Sequence, residues 1–247
     1  MKMENKRNSN KKALVLSSGG VDSTTCVGIA VNELGSENVS TVSVFYGQKH
    51  NKELECAEKV AEFYNVKHYV LDLSNVLQYS NCSLMKNSTE EIPMMSYAEQ
   101  IEKNGKPSTE VPLRNGLMLM AVGSLAMQLY PEADVDIYIG AHADDAAGNA
   151  YPDCSAEFMQ NVKEAILIGS RYKVNLVSPF VNHNKSEVVK LGLSIGVPYE
   201  LTTSCYNGRE KACGLCGTCR DRIAAFKANN AIDPIEYEID DPFKEMR

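Results

Sequence analysis

At 247 residues, 44% of them hydrophobic and 23% charged, the chain has globular composition and enough length for one sizeable core with a small appendage. Its 32 acidic residues outnumber the 25 basic ones, and a formal net charge of -7 argues against broad nonspecific binding to nucleic acid. The longest apolar stretch, Gly116 to Met127, falls far short of the ~18 residues of a bilayer span, so no membrane partner is expected.

The opening segment MKMENKRNSNKK is polar and basic with no apolar run. It reads as a frayed tail rather than a secretory signal, and the expected compartment is the cytoplasm. Residues Ala13 to Ser17 form a short apolar strand that ends at Ser18-Gly19-Gly20. A helical pattern follows from Ser23 to Leu34. Further strands are expected at Val39–Phe45, Val66–Leu71, Asp136–Gly140 and Val174–Val177, separated by helices over 51–64, 116–130, 155–170 and from Asn184 or Ser186 to Ile195. Between Ser74 and Pro112 the periodicity is lost.

Strands alternating with helices predict an α/β fold: a Rossmann-like, parallel, five-stranded sheet with helices on both faces. The main domain spans 12–200, a small cysteine-bearing segment with a helix spans 201–230, and 1–11 and 231–247 are tails. Ligands in such sheets bind beyond the carboxyl ends of the strands, where the loops 18–23, 141–154 and 178–185 are rich in functional groups.

The sequence Ser17-Ser-Gly-Gly-Val-Asp-Ser-Thr-Thr25 lies between a strand and a helix. Two glycines let the backbone turn tightly, the helix start presents unpaired N–H groups, and Ser18, Ser23, Thr24 and Thr25 add hydroxyls. Together they make an anion seat sized for phosphates. Neither G-x-x-x-x-G-K-[ST] nor G-x-G-x-x-G occurs, which excludes a Walker-type loop and a dinucleotide fingerprint.

Near the carboxyl end, Cys205 precedes Cys213-x-x-Cys216-x-x-Cys219. Four thiolates at this spacing can close around one structural Zn²⁺. An iron–sulfur cluster is the rival, although its usual fourth Cys followed by Pro is missing.

The S-G-G-V-D-S loop resembles the pyrophosphate loop of the N-type ATP pyrophosphatases, whose fold is adenine nucleotide alpha hydrolase-like. Combined with the cysteine row, and with Arg114-Asn115, Tyr151-Pro-Asp-Cys154, Thr203-Ser-Cys-Tyr206 and Cys219-Arg-Asp-Arg222, the chain resembles the 7-cyano-7-deazaguanine synthase family of the queuosine precursor pathway. The resemblance covers about Lys12 to Phe226. It implies conversion of 7-carboxy-7-deazaguanine and ammonia to the nitrile with Mg-ATP, by a homodimer.

Carried over residue by residue, the resemblance makes Ser17, Ser18, Gly19, Gly20, Val21, Asp22, Ser23, Thr24, Thr25, Cys26 and Val27 the ATP-binding segment, with Asp22 acting through Mg²⁺. Lys185, Asp22 and Arg114 are the catalytic candidates. Arg114, Tyr151 and Asp153 are the substrate candidates. Cys205, Cys213, Cys216 and Cys219 hold one Zn²⁺ per chain. His142, Asp144 and Asp145 either bind Mg²⁺ or are solvated, and Cys154 is a wall residue. A tRNA thiolase, an amide-forming deazapurine ligase and a non-catalytic nucleotide-binding module remain as alternatives at this stage.

Overall fold

The computed structural model describes residues 10–246, so the expected leading tail lies almost entirely outside the described residues. Five strands form one parallel sheet: β1 (Lys11–Leu16), β2 (Val39–Phe45), β3 (Lys67–Asp72), β4 (Asp134–Tyr138) and β5 (Val174–Val177), in the order β3-β2-β1-β4-β5. The helices are α1 (Val21–Leu34), α2 (Lys52–Phe63), α3 (Ser74–Leu77), α4 (Tyr97–Asn104), α5 (Arg114–Leu129), α6 (Ala143–Ala146), α7 (Ala156–Gly169), α8 (Lys185–Ser194) and α9 (Gly217–Ala228).

The five strands and the helices between them match the expected elements, with ends within two residues. β2 is buried along almost its whole length because helices cover both faces of a parallel sheet, and its Val and Thr side chains suit that crowded pleat. On one face Val27 of α1, Val60 of α2, Val188 of α8 and Phe226 of α9 pack against Ala13 and Val15 of β1. On the other, Leu119 and Val122 of α5 and Met159 and Ile166 of α7 pack against Leu14 and Ile137.

The aperiodic stretch from Ser74 to Pro112 holds α3 and α4. α4 starts at a capping box, in which the Glu99 N–H donates to Ser96 Oγ at 3.3 Å and the Ser96 N–H donates to Glu99 Oε2 at 2.7 Å. The expected tail after 230 packs back onto the fold. Phe243 is buried in the core beside Phe226, and the Ala212 and Glu238 amides donate to the carbonyls of Glu236 and Ala212 at 3.0 and 2.8 Å.

The buried Arg222 guanidinium anchors this return segment. It donates to Asp233 at 2.7 and 2.8 Å, to Thr202 Oγ1 at 2.8 Å and to the Tyr199 carbonyl at 3.1 Å. The Tyr237 hydroxyl adds a bond to Asp233 at 2.6 Å. The Arg222-Asp233 pair thus ties the cysteine-bearing segment, α9 and the last residues to the main domain.

Candidate functional site

Strand order reverses between β1 and β4, and a crevice opens beyond their carboxyl ends, as such sheets require. It forms a cavity of about 230 Å³ lined by the β1–α1 loop, the residues after β2, the start of α5, the β4–α6 loop, Lys185, Thr203, Ser204 and Tyr206.

Gly19 takes φ +76°, a left-handed conformation that also brings it against the first turns of α2. A Cβ there would meet the Glu53 carbonyl and the Ala57 amide. The Gly19 carbonyl accepts from the Thr203 N–H at 2.9 Å, which joins the loop to the cysteine-bearing segment. Gly20 caps α1 without a side chain, so the first-turn N–H groups face the crevice with no side-chain acceptor. The Ser18 N–H donates to Ser23 Oγ at 3.1 Å, and the two serine hydroxyls lie 3.1 Å apart. Gly140 lets the β4 loop close on this turn, because a Cβ at that position would stand 2.9 Å from the Ser23 amide.

Ser17, Ser18, Gly20, Asp22 and Ser23 line the cavity. Thr25, Cys26 and Val27 do not reach it. They lie on the buried side of α1, where Thr25 Oγ1 donates to the Val21 carbonyl at 2.8 Å and meets the Tyr199 hydroxyl at 2.8 Å. Val21 belongs to the same core. Thr24 Oγ1 is buried without a hydrogen-bond partner.

The far wall is charged. Lys185 Nζ hydrogen-bonds Asp22 Oδ2 and lies 3.5 Å from His142 Nε2. His142 Nε2 lies 3.8 Å from Asp22 Oδ2 and 3.5 Å from Asp145 Oδ1. Burial would raise the Asp22 carboxyl, but the charges of Lys185 and His142 and the Lys185 hydrogen bond hold it below the usual carboxylate range. Burial pushes the Asp145 carboxyl up. The other Asp22 oxygen, Oδ1, is buried without a partner.

The solvated alternative therefore holds only in part for the loop after β4. His142 is 3% exposed, Asp145 lines the cavity, and exposed Asp144 accepts from the Lys185 N–H at 2.8 Å. Cys154 stands in the wall, where Asn115 Nδ2 donates to its sulfur at 3.2 Å and burial pushes its thiol far above the ordinary range.

Arg114 faces the cavity with its guanidinium 5.5 Å from the centre of the Tyr46 ring. Tyr151 and Asp153 are not among the lining residues. Asp153 Oδ2 instead accepts from the Asn115 N–H at 2.9 Å and so caps α5, while the Tyr151 hydroxyl bonds Thr109. Tyr46, Gln48, Glu53, Tyr97 and Asp221 also line the cavity and are absent from the sequence-derived set. Tyr46-Gly-Gln48 follows β2 directly, so its place at a carboxyl strand end is the signal that marks it.

The sulfurs of Cys205, Cys213, Cys216 and Cys219 all lie within 4.8 Å of one another. Cys213 and Cys219 are 3.9 Å apart, close to the ~3.8 Å edge of a tetrahedron with 2.3 Å metal–sulfur bonds. N–H groups of Cys213, Leu215 and Cys216 donate to these sulfurs at 3.3–3.4 Å, which favours thiolates. The four can hold a metal ion.

The sequence model of the family described as queuosine biosynthesis protein QueC matches residues 12–230. The chain belongs to the QueC family. A 7-cyano-7-deazaguanine synthase from Pseudoalteromonas atlantica is 42% identical over 229 residues, covering 92% of this chain and 99% of that protein. Another, from Caldicellulosiruptor saccharolyticus, is also 42% identical over 229 residues, covering 93% and 96%. Among solved structures, the NMN synthetase from Francisella tularensis aligns with a TM-score of 0.47 and 16% identity, over 97% of this chain and 82% of that one. No helix among the described residues is long and apolar enough to cross a membrane.

Proposed function

We propose that the protein is an ATP-dependent carbon–nitrogen ligase that converts 7-carboxy-7-deazaguanine and ammonia to 7-cyano-7-deazaguanine. One observation carries this reading. In a QueC-family chain, the Gly19-Gly20 turn and the Lys185-Asp22 pair face the same cavity as the Arg114 guanidinium. A phosphate seat and a carboxylate-binding cation in one crevice suit the activation of an acid by ATP.

In the first step a carboxylate oxygen attacks the α-phosphorus, the bond from that phosphorus to the β-bridging oxygen breaks, and pyrophosphate leaves. The α1 amides, the Ser18 and Ser23 hydroxyls and Lys185 stabilise the charge that grows on the leaving group. Ammonia then adds to the acyl carbon, and AMP departs with the carboxyl oxygen. The amide oxygen repeats the attack on a second ATP. Loss of that oxygen as AMP, with two protons, leaves the nitrile. Arg114 holds the acid so that its oxygen faces the phosphorus in both rounds.

The unpartnered, buried Asp22 Oδ1 fits the Mg²⁺ that accompanies ATP. That ion supplies charge neutralisation on the phosphates. The cysteine cluster is a closed structural Zn²⁺ site rather than an iron–sulfur centre. A cubane spreads its ligands over separate irons, whereas sulfurs this close suit a single shared ion. The reaction takes place in the cytoplasm, and the active species is a homodimer, for which light scattering is the check.

Mass spectrometry of products from 7-carboxy-7-deazaguanine, ammonium and Mg-ATP tests the reading. The nitrile is the expected product. Accumulation of the amide alone, or of no product, would contradict it.

A further inference from the structure

Two opposite charges face the crevice without meeting. Arg114 forms no ion pair among the described residues, and neither does Glu53, whose carboxylate also takes no hydrogen bond there. Glu53 stands in the first turn of α2, which the close contact with Gly19 fixes against the phosphate loop. Burial pushes the Glu53 carboxyl up, and the nearby Arg114 charge works against that rise and favours the carboxylate. Leaving such groups unpaired in a partly dry crevice is unfavourable unless something else satisfies them.

Asp22 is held by Lys185 and Asp145 lies against His142, while Asp221, which lines the same cavity, stands near enough to Lys185 and His142 to feel their charges. Asp153, one of the sequence-derived substrate candidates, is not among the lining residues, and its Oδ2 accepts from the Asn115 N–H. Glu53 also lines a smaller recess with Tyr46 and Tyr206, and no cation is bonded to it among the described residues.

We propose that Glu53 is the specificity-determining residue that reads the N–H donor edge of a planar heterocyclic acid whose carboxylate is taken by Arg114. A carboxylate is acceptor-only and can take two adjacent N–H bonds, which is what a 2-aminopyrimidinone edge offers. The guanidinium fork matches the acid at the opposite end. The tyrosine faces supply the surface on which a flat ring stacks. This assignment rests on the reaction proposed above.

The test compares the zinc-loaded wild type with Glu53→Gln, using 7-carboxy-7-deazaguanine and the same acid without its 2-amino group. Glutamine keeps the shape but turns one acceptor into a donor. The expected result is a KM for the full acid raised about 10–100-fold, a collapsed preference over the des-amino acid, and an unchanged KM for ammonium. Equal melting temperatures show that both proteins are folded. Glu53→Asp, which keeps an acceptor-only group, retains the preference at weaker affinity.

A Glu53→Gln protein that keeps the full preference, or that changes only the ammonium KM, would overturn the assignment while leaving the proposed reaction intact. A wild type that consumes neither acid would refute the reaction, and the assignment with it.

Discussion

Lys185, at the start of α8, hydrogen-bonds Asp22, in the first turn of α1, although 163 residues separate them. The contact ties the phosphate loop after β1 to the loop after β5, across the switch point of the sheet. It also keeps a lysine at the glycine turn, where the proposed reaction places the phosphates of ATP.

Asp22→Asn is expected to reduce AMP formation about 10²-fold or more, since it alters both the Lys185 pair and the oxygen that fits Mg²⁺. The pair also predicts a pH dependence of stability. Asp22 is held below its ordinary value of 3.8, so it contributes stability above that value, and the contribution is lost as pH falls through the depressed one. The melting temperature of the wild type should fall more steeply below about pH 4 than that of Asp22→Asn. Parallel curves would show that the pair does not stabilise the fold.

Cys216→Ser should yield metal-poor protein with a lower melting temperature, read by metal analysis and scanning calorimetry. Its N–H donates to Cys213 Sγ at 3.4 Å and its own sulfur closes the cluster, so the loop before α9 loses its organising centre. Iron and acid-labile sulfide in native protein would contradict the zinc assignment.

Asp233→Ala leaves the buried Arg222 guanidinium without its counter-charge and should destabilise the fold by about 3–5 kcal/mol. Replacing the pair together, Arg222→Met with Asp233→Leu, should recover most of that loss, because no buried charge then remains. Urea unfolding of the three proteins measures it. A double variant no more stable than the single one would show that the network's other bonds, to Thr202 and Tyr199, dominate.

Leu113 precedes α5 with φ +52° and is 68% exposed. A leucine in the left-handed region is strained, and at this exposure its side chain contributes little packing. Leu113→Gly should stabilise the protein by up to about 1 kcal/mol in chemical denaturation, after the greater freedom of glycine in the unfolded chain is subtracted. Destabilisation would mean that the exposed leucine packs better than its exposure implies.

The glycine turn after β1 and the cysteine row were legible because each is a local pattern, written in contiguous residues between a strand and a helix or in a fixed spacing. The alternation of strands and helices was legible from periodicity for the same reason. Glu53 and Tyr97 were not, because only the fold brings α2 and α4 to one crevice. Asp153 lies outside the cavity lining, with one carboxylate oxygen on a backbone N–H 38 residues away, a placement that only the fold reveals. Thr25, Cys26 and Val27 belong to the loop's sequence context, yet the turn of α1 carries them into the core. Capping and helical phase, both set by tertiary packing, account for these differences.

The central claim is that an oxygen of the heterocyclic acid captures the AMP moiety while the glycine turn holds the departing pyrophosphate. It is tested most directly with 7-carboxy-7-deazaguanine carrying ¹⁸O in both carboxyl positions, incubated with ammonium and Mg-ATP. Mass spectrometry should find one ¹⁸O in each of the two AMP molecules released per nitrile formed, and none in pyrophosphate. Unlabelled AMP accompanying nitrile formation would contradict the account.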